Sequence, residues 1–131
     1  MALPITTLLA GILGVLLFVL SARVVRARQQ ASSIDNGEAL IQRRMRGQAN
    51  LIEYAPLTLI LFALAELQGL PLWALGILAA LFAFARIIHG VAFAFSDHWP
   101  FGRFYGTLIT FSVLAIMSAI TVVMGLGSLM G

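Results

Sequence analysis

Four apolar stretches, each close to the length of a bilayer crossing, leave this chain few ways to fold. A membrane-spanning helix needs about 20 mostly apolar residues. The charged residues cut the sequence into pieces of that size: Pro4 to Ala22, Asn50 to Leu67, Leu72 to Phe95 and Phe104 to Gly125. The first piece has no basic residue ahead of it and is longer than the apolar core of a secretory signal, so it reads as a retained helix. Gly69, Leu70 and Pro71 form a tight turn, and Ser96 to Gly102 is a short polar break. Asp35, Asn36 and Gly37 supply turn chemistry before a second helix that starts near Glu38, its first turns lying above the bilayer. The expected architecture is all-α and integral to the membrane, a four-transmembrane-helix up-and-down bundle forming a single domain over residues 1–131.

Charge orients this bundle. With 61% hydrophobic and 10% charged residues the chain is outside the range of soluble globular proteins. All eight basic residues are arginines, six of them between Arg23 and Arg46, with Arg103 in the third connection. By the positive-inside rule the first and third loops face the cytoplasm and both termini lie outside. The short chain looks bacterial, which makes a bacterial inner membrane the expected location. Guanidinium groups grip phosphate and carboxylate in a planar fork, so anionic partners, lipid or ligand, are favoured. With no cysteine the protein has no thiol redox chemistry, disulfide or thiolate metal site of its own. Any reactive thiol must arrive on a ligand.

Arg43, Arg46, Asn50 and Glu53 are spaced three, four and three apart, which puts them on one face of the second helix. Polar groups at membrane depth are costly unless they face protein or water. Three roles fit the stripe: glue between helices, a hold on lipid phosphates, or a ligand site. Arg86, His89 and Phe93 share a face of the third helix. A buried Arg86 calls for an anion, with Glu53 the obvious internal partner, and His89 by itself suits packing as well as ligand binding. No second histidine or carboxylate stands at metal-ligand spacing beside His89, so the sequence offers no metal site. His98 beside Trp99 reads as an interfacial anchor, and Glu66 as a solvated helix terminus.

The stretch Arg46-Gly-Gln48-Ala-Asn50-Leu-Ile-Glu53-Tyr54-Ala-Pro56 resembles the second-helix signature of the MAPEG family, the membrane-associated proteins of eicosanoid and glutathione metabolism, where the pattern reads R-A-Q-x-N-x-x-E-Y-x-P. Phe84-Ala-Arg86-Ile-Ile-His89-Gly resembles the family's third-helix segment, and Arg103 follows at about the spacing of its fourth-helix arginine. The resemblance covers nearly the whole chain. It implies a homotrimer of four-helix subunits with glutathione held between neighbours as a bound co-substrate. Carried over by position, Arg46, Asn50, Glu53 and Tyr54 would bind glutathione, Arg86 and His89 would line the same cleft, and Arg26 or Arg28 would add to it from the end of the first helix. Arg103 would activate the thiol, or serve only as a positive-inside anchor. The chain departs from the pattern in carrying His89 and Phe93 where many members have tyrosines. Gly47 in place of alanine is expected to be without consequence.

The function so implied is a membrane glutathione transferase or peroxidase acting on lipophilic electrophiles that partition from membrane lipid. The alternative within the same fold is a non-catalytic lipid- or glutathione-binding membrane protein. A small four-helix multidrug transporter fits poorly, because such carriers place a glutamate in the first helix and here that helix has no charge before Arg23.

Overall fold

The computed structural model describes residues 2–131. Four helices follow in chain order: α1 (Pro4–Gln30), α2 (Gly37–Leu67), α3 (Leu72–Ala94) and α4 (Pro100–Met130), with one 3-10 turn over Ala31–Ser33. All four are long and apolar enough to cross a membrane. The expected spans lie inside them, save that Phe95 falls one residue beyond α3. Proline at a helix's first turn costs nothing, because its missing N–H would be unpaired there and its φ is preset; accordingly Pro4 and Pro100 open α1 and α4. That is why α4 begins at Pro100 and not at Phe104, taking Gly102 and Arg103 into its first turn. Asn36, at φ 58°, turns the chain into α2. At the other end Gly69, at φ 88°, closes α2 with bonds from Leu70 N–H to Ala65 C=O and from Gly69 N–H to Glu66 C=O, the paired pattern that satisfies a helix's last carbonyls.

The α3 helix is the most enclosed of the four and packs on all the others, while α1 and α4 make no contact with each other among the described residues. The core between them holds Leu9, Leu13, Leu51, Phe62, Leu75, Phe82, Val113 and Met117. Outward faces are just as apolar: Phe18, Trp73, Val123 and Leu129 are exposed, as suits a surface whose solvent is lipid. In that solvent burial of apolar area does not drive helices together, and close packing of small residues takes over. Gly106 shows this, since a Cβ added there would stand 2.7 Å from the Cβ of His89 and 2.9 Å from the carbonyl oxygen of Ala85. The missing side chain lets α4 lie directly on α3.

Helix ends are completed across the bundle. The Glu66 carboxylate, at the C-terminal end of α2, accepts bonds from Ile5 N–H, Thr6 N–H and the Thr6 hydroxyl at 2.7–2.9 Å. Those backbone donors belong to the first turn of α1 and have no partner within that helix. The expectation of a solvated Glu66 is therefore corrected: it is a cap supplied from 60 residues away. At the opposite face Arg44 donates to Phe93 C=O at 2.7 Å and Arg23 donates to Ala94 C=O at 2.8 Å. Both carbonyls end α3, where positive charge is favoured by the helix dipole.

Candidate functional site

The stripe on α2 meets α3 and α4 at the arginine-rich end of the bundle. A cleft of about 250 Å³ is lined by Arg46, Asn50, Glu53, His89 and Phe93. A larger one, of about 610 Å³, shares Asn50, His89 and Phe93 and is otherwise walled by the start of α4, including Arg103, Phe104, Thr107 and Phe111. The two form adjoining lobes, one polar with both signs of charge, one largely aromatic, with His89 and Phe93 at their junction. The rings of His89 and Phe93 lie 4.8 Å apart, and the Arg103 guanidinium sits over the Phe93 ring at 4.7 Å. A cation over an aromatic face is held electrostatically, so Arg103 is drawn to the wall of the larger lobe.

Arg46 and Glu53 are exposed on the single chain and Asn50 is half-buried. Glu53 lies seven residues beyond Arg46, about 10 Å further along the helix, which takes a carboxylate to membrane depth on an open face. It has no ion-pair partner: Arg43 with Asp97, at 2.8 Å, is the one ion pair among the described residues. Arg43 is therefore turned away from the stripe toward the α3–α4 connection.

The expected pairing of Arg86 with Glu53 is not made. Arg86 is 1% exposed; one Nη donates to the Thr110 hydroxyl at 3.3 Å and its Nε has no partner. It stands behind the cleft wall, one turn from His89, and does not reach either lobe. His89 is also buried, with Nδ1 unpaired. Tyr54 lies beside the cleft, its ring 5.3 Å from that of Phe111. Arg26 and Arg28 are not brought to it: Arg26 lies with Gln29 and Gln30 on the outer face of α1, and Arg28 reaches only the Met45 sulfur, at 3.9 Å. Gln48, inside the α2 motif, instead ties α2 to α1 through Ser21 Oγ at 2.8 Å.

Gly47 is not a trivial replacement for alanine. An added Cβ would lie 2.8 Å from the Cβ of Phe93, so glycine is what lets Phe93 come this close to α2 where it lines the cleft. Sequence reasoning also passed over Arg44, although it leads the buried stripe Arg44, Gly47, Leu51, Ala55, Thr58; that phase was the available signal. In sequence Phe104, Thr107 and Phe111 are indistinguishable from the rest of an apolar span; the fold brings them to the larger lobe.

The model of the MAPEG family matches residues 6–123. No curated protein matches the chain, and no solved structure does.

Proposed function

Because the chain belongs to the MAPEG family, whose members are membrane proteins of glutathione or eicosanoid metabolism, we propose that the two-lobed cleft holds glutathione in its polar lobe and a lipophilic electrophile in its aromatic lobe. The observation that carries this reading is the convergence of Arg46, Asn50 and Glu53 on a lobe that adjoins Arg103. Glutathione brings two carboxylates, an ammonium group and a thiol. Arg46 matches a carboxylate, Glu53 the ammonium and Asn50 the peptide groups, each by charge-assisted or amide hydrogen bonding. The open face of Glu53 favours assembly, since a carboxylate left toward lipid is costly, and the family resemblance supports a homotrimer with glutathione between neighbours. Tyr54, Arg86 and His89 support the site from beside and behind it; of the two candidates on α1, Arg28, which already reaches α2 at Met45, would join it from a neighbouring subunit, and Arg26, on the outer face, would not.

A free thiol with pKa about 8.5 is only a few per cent thiolate at neutral pH, and the thiolate is the nucleophile. Arg103, in the first turn of α4, supplies positive charge beside the sulfur, aided by the helix N-terminus. The thiol proton passes to water, sulfur bonds to the electrophilic carbon, and the leaving group departs with its electron pair. With a hydroperoxide, sulfur takes the terminal oxygen and an alcohol leaves; a second glutathione then displaces water and gives the disulfide.

Binding without turnover is the second reading, favoured by the hold of Phe93 on the Arg103 guanidinium, which would make Arg103 an anchor. Turnover of a lipophilic aryl halide by the purified protein separates the two. The transferase reading expects glutathione-dependent conjugation that falls at least a hundredfold in Arg103→Ala while glutathione affinity is kept. Binding with no conjugation of any electrophile, and no reduction of a lipid hydroperoxide, would leave the non-catalytic reading standing.

The same proposal places the arginine-rich face in the cytoplasm. Single cysteines introduced at Ser33 and Gly131 in this cysteine-free chain should label from opposite sides of the membrane, Ser33 from inside. Labelling of both from one side would reject that topology.

A further inference from the structure

The face of α3 turned away from the cleft carries a second, wholly different concavity. Leu8, Val15 and Val19 of α1, Ile87 and Val91 of α3 and Phe95 just past its end line a groove of about 730 Å³. Toward the α1 N-terminus it runs into a smaller hollow floored by Gly76 and Ala79. From Thr7 to Val19 the groove follows α1 for about 18 Å at 1.5 Å per residue, close to half of a hydrocarbon core about 30 Å thick. Its length is thus close to that of one leaflet's acyl chains.

The arginine end of the groove is not apolar. Arg23 is fixed there, its Nε donating to Ala94 C=O at 2.8 Å and its guanidinium carbon 4.5 Å over the ring of Phe95. No carboxylate pairs with it among the described residues. One turn further, on the same face of α1 as Leu8 and Val15, a shallow polar hollow is lined by Ala22, Arg26 and Gln29. A slot for a hydrocarbon chain therefore leads straight to an oriented guanidinium, with a second arginine beside it.

We propose that the α1–α3 groove is a binding site for one anionic phospholipid of the leaflet on the arginine-rich side, an acyl chain lying in the groove and the headgroup phosphate on Arg23 and Arg26. Hydrocarbon alone gains little by leaving the bilayer for an apolar groove, so selectivity comes from the phosphate and any net charge of the headgroup. Arginines at a membrane surface favour anionic lipid by about fivefold each. A helix from a second copy is the other way to fill the groove. It would bring its own arginine-rich end toward Arg23 and Arg26, and of the five acidic residues Glu66 and Asp97 are already engaged. Charge favours the lipid.

The test is native mass spectrometry of the detergent-purified protein supplied with equal amounts of phosphatidylglycerol and phosphatidylcholine of identical acyl chains. One phosphatidylglycerol per chain should be retained, at least fivefold over phosphatidylcholine. Arg23→Gln should remove that preference. Gly11→Phe should remove retention itself; Gly11 borders the groove and a Cβ there meets nothing within 4 Å, so the ring fills the slot without disturbing the bundle. Equal retention of the two lipids by the unaltered protein, or unchanged retention in Gly11→Phe, would overturn the proposal. So would a smaller oligomer in Gly11→Phe with no retained lipid in the unaltered protein, which would make the groove a contact between copies.

Discussion

Two glutamates on α2, thirteen residues apart, have opposite lives. Glu66 has both oxygens engaged, holding three donors of the first turns of α1. Glu53 is exposed, unpaired and set in a cleft with Arg46 and Asn50. The sequence alone suggests the reverse, a solvated Glu66 at a helix end and a Glu53 paired with Arg86. The difference lies in where the unpaired backbone is. At the Glu66 end the N-terminus of α1 offers donors that need an anion. At the Glu53 end Arg44 and the Nε of Arg23 are turned to the C-terminus of α3 and Arg86 faces away, while Arg46, in the same cleft, makes no ion pair with Glu53. A carboxylate whose bonds are complete holds the fold together; one left open at membrane depth is the group that the proposed function assigns to a ligand.

This contrast can be broken most forcefully at Glu66. Glu66→Leu strips two backbone N–H groups and a hydroxyl of their acceptor, at a cost of about 3 kcal/mol. The melting temperature in detergent should fall by several degrees while glutathione affinity in the surviving folded protein stays unchanged. A variant as stable as the parent would remove Glu66 as a structural cap. The complementary change, Glu53→Ala, should leave the melting temperature unaltered and weaken glutathione binding by about 10- to 100-fold, the worth of a charge-assisted bond of about 1.5–3 kcal/mol. Titration calorimetry giving equal affinities would reduce Glu53 to a packing residue. Arg44→Met and Arg86→Met sharpen the same point among cations. The first orphans the Phe93 carbonyl and should destabilise by about 1–3 kcal/mol; the second removes a buried charge that has only one weak bond and should be close to neutral. Smallest is Gly47→Ala, whose methyl must push on Phe93, with an expected loss of about 1 kcal/mol and a shift in the Arg103 environment visible as altered electrophile turnover.

How much of this could be read from sequence depends on distance along the chain. The four helices and their turns were legible because hydropathy and the Gly-Leu-Pro and Asp-Asn-Gly turns are local signals. The α2 stripe was legible because helical period places Arg46, Asn50 and Glu53 on one face without reference to anything else. The partners of Glu66, Arg44 and Arg23 were not, because each lies 49 to 71 residues away and depends on which helix ends meet. The start of α4 was misjudged for a related reason: polar SDHWPFG reads as loop, yet Pro100 suits a helix's first turn, which moves Arg103 from a loop edge into the cleft wall. Gly47 could not be weighed at all until Phe93 was found against it.

In the proposed site the open carboxylate and its neighbouring arginines bind glutathione with its thiol ionised. Ultraviolet difference absorbance of the thiolate, recorded as glutathione is titrated into the purified protein at neutral pH, tests it most directly. A saturable thiolate signal is expected, absent in Arg103→Ala although that variant still binds glutathione by calorimetry. A protein that binds no glutathione, or binds it with the thiol still protonated, would contradict it.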